Sequence, residues 1–126
     1  MDNKKNKILL VDDEPDVVSM TKMRLEASGY QVLTAFDRNS AYAMLTGEIP
    51  DLIILDLMVT GMDGYQFCQF VKTDAQLRHI PIIILTAKSQ KEDTQSSASV
   101  GADYFLTKPV EVKELLPKIK ELLEKI

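Results

Sequence analysis

The stretch KILLVDDEPD, residues 7–16, decides how the rest of the chain is read. Ile8, Leu9, Leu10 and Val11 form a short continuous apolar run, the pattern of a strand covered on both faces. The run ends directly in Asp12, Asp13 and Glu14, and Pro15 then suits the first turn of a helix. Two readings of the acids follow. They can be solvated strand-end carboxylates that favour the start of the next helix. Alternatively, something positive belongs beside them, because carboxylates a few ångströms apart repel until one of them keeps its proton.

The same unit, apolar strand then loop then helix, recurs along the chain. Strands are predicted at Ile8–Val11, Gln31–Phe36, Asp51–Asp56, Ile82–Leu85 and Asp103–Thr107. Helices are predicted from Pro15 to Ser28, from Asp37 to Leu45, from an Asp63 cap to about Thr73, from Gln90 to Val100, and from Val112 to Ile126. In the first helix Val17, Val18, Thr21, Met23 and Leu25 are candidates for the buried side. Phe67, Phe70 and Val71 are the candidates in the third. Leu115, Leu116, Ile119, Leu122, Leu123 and Ile126 recur at helical spacing in the last, which Pro117 should kink or start late. Strands alternating with helices define an α/β fold, a five-stranded parallel sheet doubly wound by five helices. One domain filling residues 1–126 is expected, with a polar tail at 1–6.

Composition narrows the function classes. The net charge is −4 and no basic patch is legible, which argues against a general nucleic-acid binder. A single cysteine, Cys68, precludes an internal disulfide and fits a reducing compartment. No apolar stretch approaches the roughly 20 residues that span a bilayer. No signal peptide is visible, so the cytoplasm is the expected location.

In doubly wound sheets, ligands bind beyond the carboxyl ends of the strands. Strand one ends in Asp12-Asp13, strand three in Asp56, strand four in Thr86-Ala87, and strand five in Thr107-Lys108-Pro109. If strands one and three are neighbours, three carboxylates converge, with a hydroxyl and an amine beside them. Oxygen ligands without His or Cys favour a hard ion, Mg²⁺ with Mn²⁺ as the alternative, over zinc. A metal and a lysine offset phosphate charge in phosphoryl transfer, and an aspartate can serve as nucleophile. The first strand-to-helix turn has no glycine, which argues against a dinucleotide site or a P-loop.

These motifs together resemble the receiver domain of a two-component response regulator. The resemblance runs from about Lys7 to Ile126. It rests on Asp12-Asp13, on DLMVTGMDG around Asp56, on Leu85-Thr86-Ala87, and on GADYFLTKP ending in Lys108-Pro109. It implies a flavodoxin-like strand order of 2-1-3-4-5. It further implies that Asp56 is the phosphoacceptor and that Asp12, Asp13, Asp56 and the Met58 carbonyl hold Mg²⁺. Lys108 would pair with Asp56 and then with its phosphoryl group, and the Lys108–Pro109 bond would be cis. Thr86 and the Ala87 amide would bond phosphoryl oxygens, with Thr86 and Phe105 as the switch. The implied donor is a histidine kinase or a histidine phosphotransfer protein. The implied output is a protein partner or output domain meeting the face of the fourth helix, fifth strand and fifth helix, with homodimer formation on phosphorylation as an alternative. Phe105 lacks the hydroxyl that a tyrosine would offer there, and Thr60 stands where the family often has proline.

Other residues and the chain as a whole have simpler readings. Asp63-Gly64 reads as a cap and turn, Cys68 as a core residue, His79 as an exposed loop residue, and Phe67 and Phe70 as packing. The polar helix after Lys88 is either a solvent-facing surface or a switch segment. An aspartyl phosphatase would need a second acid two residues after Asp56, where Met58 stands. A non-phosphorylated scaffold would not need the full acid–Thr–Lys set. The chain suits a stand-alone regulator or a receiver cut from a longer protein; beyond its own aspartyl phosphorylation and dephosphorylation no enzymatic activity is expected, and neither nucleic acid nor membrane is an expected partner.

Overall fold

In the computed structural model, residues 6–57, 59, 61–86, 101–108 and 110–124 are described. The elements run β1 (Lys7–Val11), α1 (Pro15–Ala27), β2 (Gln31–Ala35), α2 (Arg38–Gly47), β3 (Leu52–Asp56), α3 (Gly64–Thr73), β4 (Ile82–Thr86), β5 (Tyr104–Thr107) and α4 (Val112–Glu124). The strands form one parallel sheet of order β2-β1-β3-β4-β5. Five strands and their order are as expected. Four helices lie among the described residues, and the helix expected at 90–100 lies outside them.

Alternation along the central strands decides which helix covers which face. Leu9, Val11, Ile53, Leu55, Ile82 and Ile84 join Ala41, Leu45, Phe67, Cys68 and Val71 in one core cluster, so α2 and α3 cover that face. Ile8, Leu10, Leu52, Ile54, Ile83 and Leu85 join Val18, Leu25, Leu115, Ile119 and Leu122 in the other, under α1 and α4. Successive side chains of a strand point to opposite faces, so an unbroken apolar run serves both cores. The three inner strands are buried almost throughout, while β2 and β5 are half-exposed because each has a neighbour on one side only.

Local chemistry ends the elements where it should. Asp37 caps α2 by accepting from Ser40 N at 2.8 Å, and the Ser40 hydroxyl completes a capping box. Asp63 caps α3 by accepting from the backbone N–H groups of Tyr65 and Gln66. Gly29, which follows α1, sits at φ +102, where a side chain would be strained.

Three expectations about burial are corrected. Val17 and Met23 are exposed, because only Val18 and Leu25, seven residues apart, stay on the buried stripe of α1. Phe70 is also exposed, and packs edge-on to Tyr42 at 5.2 Å rather than entering the core. Phe36 lies beyond the end of β2 and is exposed. The last helix does not begin late: α4 runs from Val112 through Pro117. Pro117 and Lys113 are both exposed, so water can serve the Lys113 carbonyl that the proline leaves without its helical donor.

Candidate phosphoryl-transfer site

Register brings the strand ends together. Val11 pairs with Leu55, so Asp12 and Asp56 stand level at the carboxyl ends of adjacent strands. Asp56 pairs with Leu85, and Thr86 pairs with Thr107, which places Lys108 one residue beyond β5. Backbone bonds continue the sheet past these ends: Leu57 N donates to Leu85 O at 3.1 Å, and Lys108 N donates to Thr86 O at 2.7 Å. Gly64, at the start of α3, fits closely against Leu57, since a Cβ there would come 2.5 Å from Leu57 Cδ2.

Asp12, Asp56 and Thr86 are each only 1% exposed, the buried polar residues of a core that is otherwise apolar. Asp12, Asp13 and Asp56 each offer a carboxylate oxygen within 4.8 Å of the others. Lys108 Nζ donates to Asp56 Oδ2 at 2.6 Å, a charge-assisted bond between residues 52 apart in sequence. Glu14 lies on the outer side of the same lysine, 3.8 Å away. The Lys108 ammonium is held above its ordinary pKa: burial alone would lower it, but the hydrogen bond and charge of Asp56, with the charges of Asp12 and Glu14, outweigh that.

Two buried polar atoms have no partner among the described residues, Asp12 Oδ2 and Thr86 Oγ1. A buried polar group without a partner costs free energy unless a ligand meets it. Asp12 Oδ1 accepts from Glu14 N at 3.1 Å, yet burial first and the Asp56 charge second push the Asp12 carboxyl up to about 6. Crowded oxygen donors with one buried oxygen unmet fit a hard divalent cation, and Asp12, Asp13 and Asp56 are the residues that would hold it.

The raised carboxyl has a measurable consequence. Asp12 binds its proton more tightly folded than unfolded, so stability from this group is present at low pH and is lost as pH rises from about 4 through about 6. A shift of that size corresponds to about 3 kcal/mol. Without divalent ions, Asp12→Asn should therefore be more stable than the parent above pH 6, by about 2–3 kcal/mol, with the advantage shrinking toward pH 4. Urea midpoints of the two proteins at several pH values check this, and a difference that does not vary with pH would refute it.

Of the residues expected at the site, Asp12, Asp13, Asp56, Thr86 and Lys108 are brought together. Met58, Ala87 and the Lys108–Pro109 bond lie outside the described residues. Phe105 is half-buried against the α2/α3 core, level with Ile84 and on the same strand face as Thr86. Tyr104 points to the opposite face, where Lys118 Nζ stands 4.3 Å from its ring centre. Sequence reasoning missed Glu14. Its signal was a glutamate at a helix N-cap, where Asp, Asn, Ser or Thr are preferred.

A doubly wound sheet with acids, a threonine and a lysine at its carboxyl ends is the frame of a phosphorelay signalling domain. The sequence profile of response regulator receiver domains matches residues 8–120, and the chain belongs to that family, the signalling domain of two-component systems. It is 40% identical over 120 residues to the phosphate regulon transcriptional regulatory protein PhoB of Klebsiella pneumoniae, covering 95% of this chain and 52% of PhoB. The chain spans about half the length of the curated relatives it matches first. Among solved structures, it is similar to the receiver domain of a signal transduction histidine kinase from Syntrophus aciditrophicus, with 38% identity, a TM-score of 0.88, and coverage of 96% of this chain and 92% of that one. It is also similar to a CheY-like receiver domain protein from Methanospirillum hungatei JF-1, with 31% identity, a TM-score of 0.88, and coverage of 97% and 96%.

Proposed function

We propose that this chain is a phosphorylation-dependent switch that accepts a phosphoryl group on Asp56 from the phosphohistidine of a histidine kinase or a histidine phosphotransfer protein. The observation that carries this reading is the 2.6 Å contact of Lys108 with Asp56 inside a group of three carboxylates. Lys108 donates this hydrogen bond to Asp56, which in this reading is the oxygen nucleophile. An Asp56 oxygen bonds to phosphorus as the bond to the imidazole nitrogen breaks, and the nitrogen keeps the electron pair. Lys108 stays with the acyl phosphate as its countercharge. Asp12 and Asp13 with Asp56 hold Mg²⁺ or Mn²⁺, which when bound offsets the charge of the phosphoryl oxygens. In the family pattern the Met58 carbonyl is a further metal ligand and the Ala87 amide a further phosphoryl donor.

Thr86 is the first part of the readout. Its hydroxyl is buried and without a partner among the described residues, and it lies one strand from Asp56. A phosphoryl group adds charge and acceptor oxygens there, and Thr86 can donate to one of them. Phe105 shares that strand face and moves inward as Thr86 shifts, biasing a two-state surface. The output surface comprises β5, α4 and the helix expected at 90–100, and it meets a protein partner, an output domain or a second phosphorylated copy. We place this activity in one receiver unit formed by residues 1–126, working in the cytoplasm without contact to nucleic acid or membrane. No helix among the described residues is long and apolar enough to cross a membrane.

The test is incubation with acetyl phosphate or phosphoramidate, with and without Mg²⁺, followed by intact-mass analysis. A phosphoryl adduct that forms with Mg²⁺ and fails to form with EDTA is the expected result. Asp13→Ala removes one of the carboxylates from the cation and should weaken Mg²⁺ binding roughly tenfold or more, slowing adduct formation in parallel. Undiminished phosphorylation in Asp13→Ala would remove that residue from the metal site.

A further inference from the structure

We infer that Glu14 sets which phosphodonors this receiver accepts, by acting on the charge of the group that leaves; the inference rests on the reading of Asp56 as acceptor. Glu14 is the N-cap residue of α1, yet its side chain makes no capping hydrogen bond. Its backbone N–H is used by Asp12, and its carboxylate lies 3.8 Å from Lys108 Nζ. Since Lys108 Nζ is 2.6 Å from Asp56 Oδ2, the Glu14 carboxylate is within about 6 Å of the acceptor, shorter than a Debye length. A local rule broken at a site is where a functional constraint is expected.

The direction of approach makes this charge matter. Asp12, Asp56 and Thr86 are each 1% exposed, so the donor cannot come through the protein side of the pocket. Of the charged residues at the site, Asp13 is half-buried, the Lys108 side chain is 25% exposed and the Glu14 side chain is 61% exposed, so these three reach the solvent-facing side. With Asp56 attacking in line, the leaving group points outward past this rim. From acetyl phosphate, the new O–P bond forms as the phosphorus–oxygen bond breaks, and the electron pair leaves on acetate. From phosphoramidate, the phosphorus–nitrogen bond breaks with the nitrogen already protonated, and the electron pair leaves on ammonia. Measured from the free donor, the acetyl oxygen reaches the transition state carrying new negative charge near Glu14, whereas the phosphoramidate nitrogen reaches it with part of its positive charge still present. Glu14 therefore disfavours the acyl phosphate and favours the nitrogen donor, as would suit a phosphohistidine.

The test is the ratio of second-order phosphorylation rates with phosphoramidate and acetyl phosphate, each below donor saturation, at saturating Mg²⁺ and low salt. Glu14→Gln should raise the acetyl phosphate rate and lower the phosphoramidate rate, moving the ratio by roughly fivefold, and Glu14→Lys should move it further in the same direction. The shift should shrink in about 0.5 M salt, where exposed charges are screened. Because Glu14 is exposed, both variants should fold. A ratio unchanged in both variants, or two rates that change together, would overturn the inference, the second by showing that Glu14 acts only by placing Lys108. A parent protein that takes phosphate from neither donor would instead overturn the reading of Asp56 as acceptor.

Discussion

Asp56→Asn accumulates no phosphoryl adduct from acetyl phosphate or phosphoramidate, at any Mg²⁺ concentration, while it remains folded. The amide oxygen carries no negative charge and cannot form an acyl phosphate, so the covalent step has no nucleophile. The expected fall in rate is at least about a thousandfold, to the detection floor of mass analysis. Asn has nearly the same shape, and the pocket loses a charge that stood beside Asp12, so the fold has little reason to fail. A circular dichroism melt with a midpoint near or above that of the parent is the control. An adduct of parental yield in the folded variant would place the acceptor on another residue and would undo the assignment.

Lys108→Met should cost more stability than any other single change at the site. Asp56 is 1% exposed and faces Asp12, while Lys108 is the cation that meets it. Removing one partner of a buried pair leaves a desolvated charge, which costs about 3–5 kcal/mol. The side chain of Lys108 is 25% exposed, so water can enter its place and the lower end of that range applies. For a chain of this size, the melting midpoint should fall by roughly 10 °C. The methionine keeps most of the volume, so the loss reports charge rather than a cavity. Millimolar Mg²⁺ should restore part of the midpoint, because a cation bound by the same carboxylates replaces the missing charge and binds only the folded state. A midpoint that stays at the parental value without divalent ions would show that the Lys108–Asp56 contact contributes little, and a lowered one that ignores Mg²⁺ would argue against a cation site.

Which segments are strands, and which ends carry chemistry, were both legible from residue order. KILLV, LIIL and IIIL are stable as strands only where both faces are covered, and each is followed at once by a residue that cannot be buried without a partner, Asp12, Asp56 or Thr86. That physics is local: burial selects apolar residues, and the acids and the hydroxyl mark where the apolar run stops. The cap at Asp63 was legible for the same reason, since a side chain two or three residues away meets the open backbone donors, whereas Asp37, expected as the first residue of its helix, is that helix's cap.

Only the tertiary structure decided the rest. Strand order and register depend on contacts between residues far apart in sequence, and they alone put Asp12 level with Asp56 and Lys108 beside both. The way α3 lies on its core set Phe67 inside and Phe70 outside, although the two have the same side chain. Tyr104 and Phe105 are neighbours in sequence, but the alternation of β5 sends them to opposite faces, so only one can follow Thr86. Glu14 is the clearest case. The sequence placed it only among the acids at the start of a helix, and the lysine that it faces lies near the other end of the chain. Local chemistry could mark where charges stand, whereas the charge each one faces is fixed by packing of the whole sheet.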